Sequence, residues 1–295
     1  MAMLKAENTP PKEQIHNRLQ PPGDAPTKVQ SIRTITFVRE ATVNSDHAPL
    51  RPGSGSLSAF APLPLDARTT DRPRTFGQHF SLDCNGYQIR LADHSDTFRT
   101  RISLLIEKLY AYRGLHATHA DLPVRGGQTT LVACRDEDHV FGTVTLGLDS
   151  PDGLLADALY RPQIDQVRSA GGRVCEVTRL AVDPEFGSSL LMAQFFHLVF
   201  ILARLVHGMT DLFAEVHPRH SSYYQRMLGY RVAGPERVCP RVGAPAVLLH
   251  IPLAEAERLI REGGSQRSLY RSFFSIDEQW RLFEQLRAPV SETVS

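Results

Sequence analysis

Glu176, Thr178 and Arg179 stand inside a β-prone run, Cys175-Glu176-Val177-Thr178-Arg179-Leu180-Ala181-Val182, which stops at Asp183-Pro184. A carboxylate and a guanidinium in a core-like strand are costly unless they are paired or used. Two readings stand. In one, Glu176 and Arg179 form an ion pair that holds the strand, or Arg179 pairs with Asp183. In the other, the carboxylate takes up a proton and the guanidinium fork grips a substrate carboxylate. Thr178 shares the Glu176 face of a regular strand, where it bonds the carboxylate or packs.

The spacing sets a geometric condition. Strand side chains alternate, so Glu176 and Arg179, three apart, point to opposite faces of a regular strand. One pocket holds both only if the strand bulges between them. Cys175 is expected to face away from Glu176, and no histidine neighbours it in sequence, which disfavours a covalent cysteine intermediate.

Further along, His217-Pro218-Arg219-His220 opens a helix that carries Tyr223 and Tyr224. The two histidines have no third partner at metal-ligand spacing, so no metal site is expected. Arg219, Arg226, Arg231, Arg237 and Arg241 offer a basic surface or a solvated face. Gly187-Ser188-Ser189 marks the start of another helix, where Ser188 can serve as cap.

These groups must be positioned by a chain of 295 residues with 42% hydrophobic content, enough for one good-sized core. Half of the 20 prolines precede residue 75, so residues 1–78 read as a disordered tail, interrupted by one strand-like island at Ile32 to Val38. Residues 79–252 read as the globular domain and 253–295 as a helical extension. Within the domain, strands are expected at Tyr87 to Leu91, Thr129 to Cys134, Val140 to Leu148, Arg173 to Val182, Asp211 to Val216, Tyr230 to Val232 and Val247 to Ile251. Helices are expected at Ser95 to Arg113, Ser188 to Val206 and His220 to Leu228, then Pro252 to Glu262 and Leu269 to Leu286. The stretch through Asp152-Gly153-Leu154 and Tyr160 reads as irregular or helical. A hairpin followed by alternating strands and helices predicts an α/β (α+β) mixed sheet with helices packed on it.

A net charge of +1 gives no field suited to nucleic acid. Lys5, Lys12, Lys28 and Lys108 are the only lysines among 33 basic residues, so arginine dominates. Cys84, Cys134, Cys175 and Cys239 lie far apart without metal or C-x-x-C spacing, and the first thirty residues contain no signal-type apolar run, which together suggest a cytoplasmic protein. Leu190 to Val206 is apolar but carries Gln194, His197 and Arg204, so a buried core helix is expected there rather than a membrane span. Its Leu190, Leu191, Phe195, Phe196, Val199, Phe200 and Leu202 supply more bulk than a single helix stripe requires, as expected of a helix covered on several sides.

The element order, with Glu176-x-Thr178-Arg179, Asp211-Leu212-Phe213-Ala214-Glu215-Val216, His217-Pro218-Arg219-His220, Tyr223-Tyr224, Leu228-Gly229-Tyr230 and Gly243-Ala244-Pro245-Ala246-Val247-Leu248-Leu249, resembles the GNAT acyltransferase fold. Within that fold it resembles the N-acyl amino acid synthases, relatives of the acyl-homoserine-lactone autoinducer synthases. The resemblance runs from about residue 85 to 250 and implies a splayed central sheet. It also implies transfer of a fatty acyl group from the phosphopantetheine thioester of acyl carrier protein to the amine of an amino acid, with no tightly bound cofactor.

Under that resemblance Glu176 is the general base and Arg179 the carboxylate anchor. A bulge exposes amides around Leu180 and Val182 as oxyanion donors. Tyr224 protonates the departing thiolate or packs as a core aromatic. Gly187 and Ser188 meet the pantetheine phosphate. Asp183-Pro184-Glu185-Phe186-Gly187-Ser188-Ser189 lacks the basic residue and second glycine of a CoA pyrophosphate loop, which favours acyl carrier protein over acyl-CoA as donor. The alternatives are an autoinducer synthase, a CoA-dependent N-acetyltransferase, and a non-catalytic acyl- or carrier-binding module.

Overall fold

The computed structural model describes residues 80–92, 96–112, 127–135 and 139–287. The Pro-rich stretch and the island at Ile32 to Val38 lie outside them. Strands β1 (Ser81–Cys84) and β2 (Tyr87–Leu91) form a hairpin, and helix α1 (Asp96–Ala111) leads to β3 (Gln128–Arg135) and β4 (His139–Leu148). Helix α2 (Asp157–Ser169), β5 (Val174–Val182), α3 (Ser189–Phe200) and a π-helical turn (Ile201–Val206) follow. Next come β6 (Asp211–Val216), α4 (Pro218–Leu228), β7 (Arg231–Val232), β8 (Arg237–Cys239) and β9 (Ala244–Pro252). The described chain closes with α5 (Leu253–Glu262), a 3-10 turn (Leu269–Ser272) and α6 (Ile276–Arg287).

The strands form one mixed sheet in the order β1-β2-β3-β4-β5-β6-β9-β7, with β8 also on β9. Only β5 and β6 run parallel among these pairs. Helices α1 and α2 cover one face. Helices α3 to α6 cover the other, where the largest cluster joins Leu191, Phe195 and Leu198 to Cys175, Val177, Leu249, Leu253 and Leu282.

Most expected elements appear within one to three residues of their expected bounds. The segment Ser189–Val206 is long and apolar enough to cross a membrane, but 78% of it is buried against the rest of the fold, as a core helix requires. The single helix expected over Leu269 to Leu286 is instead two pieces. Ser275 breaks it by capping α6, its Oγ accepting the Glu278 N–H at 3.2 Å. Helix α4 starts at Pro218 rather than His220, because His217 Nδ1 accepts the Arg219 N–H and proline suits a first helical turn. Strands β1 and β8 are too short to carry a periodic signal and were not expected.

Candidate active site

The site is built where β5 changes its neighbours. On one side β5 pairs with β4, with Thr145 opposite Thr178 and Val177 opposite Leu146, but Ala181 opposite Thr143. One residue of β5 is therefore extra, and Arg179, at φ 50°, is the residue with left-handed backbone there. The bulge switches the side-chain faces. Before it, Cys175 and Val177 join the α3 side. After it, Val182 belongs to that side and Leu180 packs against it, while Ala181 packs with Ile102 and Leu105 of α1.

Glu176, Thr178 and Arg179 consequently reach one face. Thr178 lies opposite Thr145, whose hydroxyl is 2.8 Å from that of Thr130. Two residues along β3, Gln128 Oε1 accepts from Arg179 Nη1 at 3.2 Å. Gln128 is opposite Gly147, and Gly147 is opposite Glu176. A Cβ at Gly147 would lie 3.3 Å from Glu176 Cγ, so the missing side chain is what gives the glutamate its room.

On its other side β5 pairs with β6 only from Val174 to Val177, against Asp211 to Ala214. Strand β6 continues with β9 as far as Val216, so β5 and β6 part after Val177 and Ala214. The Asp183 N–H bonds the Phe141 carbonyl of β4 at 2.8 Å. By alternation the Ala181 N–H also turns to β4, and the amides of Leu180 and Val182 turn to the opening that β6 has left.

Glu176 is 3% exposed and does not pair with Arg179 as the ion-pair reading expected. Its Oε1 accepts the Leu155 N–H at 2.6 Å and its Oε2 the Ala156 N–H at 3.1 Å. Ala156 is the N-cap of α2 and has no side-chain cap of its own, so the carboxylate caps that helix. Burial pushes the Glu176 carboxyl up to about 7, against the two amide bonds and Arg241, which lower it, and with Glu215, which raises it. Each carboxylate oxygen keeps a second lone pair for another donor.

Helix α2 is held firmly for that task. Asp157 Oδ2 accepts the Leu154 N–H at 2.8 Å, and Arg168 bonds Asp157, Asp149 and Asp165. Tyr160, where the helix kinks, donates to the Ala246 carbonyl at 2.8 Å. On the other flank, Arg241 donates to the Leu155 carbonyl at 2.7 Å and to Glu215 Oε1 at 2.9 Å. Leu155 is thus gripped through both of its flanking peptides, by Glu176 at its nitrogen and Arg241 at its carbonyl oxygen.

Two of the five arginines expected on a basic or solvated face are engaged with the fold instead. Arg241 is turned inward, and Arg237 donates to the Leu159 carbonyl with its guanidinium 5.3 Å from the Tyr160 ring centre. Thr178 Oγ1 does not bond Glu176 and has no hydrogen-bond partner among the described residues.

The remaining candidates lie on the opposite face or at the rim. Tyr224 is half-buried and meets Phe196, Tyr223 and Tyr230 edge-on, within the packing on the α3 side of the sheet, opposite the Glu176 face. Ser188 Oγ accepts the Leu191 N–H at 3.0 Å as the N-cap of α3, and Gly187 beside it is exposed. The first helical amides, Ser189 and Leu190, have no acceptor within the helix. Cys175 is fully buried and its thiol, donating to the Asp211 carbonyl, is pushed well up by burial and by the Glu176 and Asp211 charges. A thiolate nucleophile is disfavoured there.

Sequence reading missed Gly147, Glu215, Arg241 and the Leu155–Ala156 amides. Gly147 had a signal, a glycine within an apolar strand run. The others depend on contacts between segments distant in sequence.

A mixed sheet that opens between two parallel strands, with a buried carboxylate at the opening, defines a GNAT-like acyltransferase. The model of the family N-acyl amino acid synthase FeeM matches residues 101–252, and the chain belongs to that family. It is therefore an N-acyltransferase. Among solved structures it is similar to FeeM, an N-acyl amino acid synthase from uncultured soil microbes, at 21% identity over 60% of this chain and 98% of that one, with a TM-score of 0.54. A putative N-acetyltransferase from Lactobacillus plantarum matches at 18% identity over 57% of this chain and 99% of its own, TM-score 0.42. The acyl-homoserine-lactone synthase LasI matches at 15% over 57% and 89%, TM-score 0.39. No curated protein sequence matches the chain.

Proposed function

We propose that the protein transfers a long-chain acyl group from the phosphopantetheine thioester of acyl carrier protein to the α-amine of an amino acid, with Glu176 as general base. The supporting observation is a buried carboxylate poised near pH 7 on the same sheet face as the Arg179 guanidinium. The α-amine of an amino acid has a pKa of about 8 or above, so it arrives mostly as ammonium and must lose a proton before it can attack. Glu176 accepts that proton, and Arg179, steadied by Gln128, holds the acceptor carboxylate.

The freed nitrogen forms its bond to the thioester carbon while the carbonyl π pair moves to oxygen. The Leu180 and Val182 amides donate to this oxyanion. Collapse breaks the carbon–sulfur bond. The departing thiolate takes a proton from Tyr224, the second proton leaving the nitrogen restores that tyrosine, and the proton held by Glu176 passes to water, so the net products are amide, thiol and one released proton. Ser188, Gly187 and the first amides of α3 meet the pantetheine phosphate. A donor with one phosphate and no nucleotide suits the Asp183–Ser189 turn, which carries Glu185 where a CoA loop needs a cation. Free thiols at Cys84, Cys134, Cys175 and Cys239 accord with a reducing cytoplasm.

The test supplies palmitoyl-acyl carrier protein or palmitoyl-CoA with a pool of amino acids and identifies amides by mass. Amide formed preferentially from the carrier-protein donor is the expected result. No amide from either donor overturns the function, and equal use of CoA overturns the donor.

A further inference from the structure

We propose that Thr178 and Glu215 bind the ammonium group of the acceptor at the point where β5 and β6 part. The proposal rests on the amine-acylating reading above and adds a site to it. Val177 and Ala214 are the last paired residues, so Thr178 and Glu215 are the next on each strand. Both lie on the Glu176 face, since Glu176 and Phe213 are register partners one pair before that last one.

Each of the two brings an oxygen that the fold leaves unused. Thr178 Oγ1 and Glu215 Oε2 are buried and have no hydrogen-bond partner among the described residues. Folded proteins leave few buried polar atoms in this state, because each forfeits its bonds to water. Two such atoms flanking one opening mark a place that a donor fills. Glu215 is not a loose surface group: its side chain is 10% exposed and its Oε1 is held by Arg241.

Charge identifies the donor. Glu176 and Glu215 are two carboxylates, Arg241 is bonded to Glu215, and Arg179 is assigned to the acceptor carboxylate, so one carboxylate charge is left to face a cation. The remaining titratable neighbours of Glu215, Cys239 and Tyr160, are neutral: burial holds both up, the Glu215 charge adds to it, and the Cys239 thiol is also hydrogen-bonded to Glu215. A primary ammonium has three N–H donors. Two satisfy Thr178 and Glu215, and the third turns to the free lone pair of Glu176, which is the proton the reaction must remove. The site therefore selects a charged primary amine over a hydroxyl acceptor.

The test uses the full chain, palmitoyl-acyl carrier protein, and the amino acid that the wild type acylates fastest from a pool. Glu215→Gln should raise KM for the amino acid roughly 10- to 100-fold and leave KM for the thioester unchanged. It should also move the acidic limb of the kcat/KM profile to lower pH, because a like charge beside Glu176 is gone. Thr178→Val, which leaves Glu215 and Arg241 in place, should raise the same KM about 5-fold and decides the matter if Glu215→Gln does not fold. Folded variants with wild-type KM for the amino acid overturn the ammonium site alone. A wild type that forms no amide overturns the underlying reading, and this site with it.

Discussion

Glu176 Oε1 lies 2.6 Å from the amide nitrogen of Leu155, the first of two backbone donors that make this carboxylate the cap of α2. The residue best suited to take a proton thus also anchors the helix beside it. Charge-assisted bonds of this kind each contribute about 1.5–3 kcal/mol, yet burial outweighs them and holds the group near pH 7.

Activity should follow the ionisation of Glu176. A base works in its deprotonated form, so kcat/KM is expected to rise with pH through a midpoint of about 7. Glu176→Gln should lower kcat by roughly 10²- to 10⁴-fold. A rate profile that is flat from pH 5 to 9 would remove Glu176 from the mechanism.

Gly147→Ala isolates the placement of that carboxylate. The added Cβ falls 3.3 Å from Glu176 Cγ, a tight contact with a side chain already fixed by two amides. The expected outcome is a loss of about 10-fold in kcat/KM, since displacements of an ångström or less are costly at a reacting centre. Thermal unfolding of the same variant should move by only a few degrees.

Arg241→Met should cost stability and shift the base. It strands Glu215 without its partner in a site where that carboxylate is 10% exposed, a change worth about 3 kcal/mol in urea unfolding. The Arg241 charge lowers the Glu176 carboxyl, so the acidic limb of the variant should move to higher pH. Glu215→Gln moves it the other way, which makes the two variants controls for each other.

His197 and Glu176 should oppose one another in the pH dependence of stability. His197 is fully buried, its Nδ1 accepts the Phe274 N–H, and its Nε2–H donates to Gln279, so burial lowers it to about 4. The unfolded chain takes up this proton below about 6.5, and the His197 contribution is lost as pH falls from there to about 4. Glu176, raised to about 7, has the opposite slope: its contribution fades as pH rises from about 4.5 to about 7. Each is on the order of 3 kcal/mol, so the two nearly cancel. Glu176→Gln should unmask the histidine slope, with clearly greater urea sensitivity at pH 5 than at pH 7.5.

Much of the fold was legible because its strands and helices are long and regularly patterned. The periodicity of Val140 to Leu148 and of Ser188 to Val206 is set by the core itself. Even the bulge was legible as a condition, since Glu176 and Arg179 share a face in no regular strand. The partners of Glu176 were not. The ion pair with Arg179 is the natural local expectation, but the carboxylate answers to Leu155 and Ala156, about twenty residues upstream, and Arg179 answers to Gln128. Helix α2 itself was obscured by Pro162 and by the kink at Tyr160. Arg241 read as one arginine among several on a surface, and only the return of β9 beside β6 brings it to Glu215.

The family resemblance stops at residue 252, but the packing does not. Leu253 and Leu282 beyond it are 1% and 0% exposed, and Gln279 holds His197 in the last turn of α3. The stretch that the family model matches is therefore only part of the stretch that packs as one core. A chain cut after residue 252 would turn an open greasy flank toward chaperones and proteases.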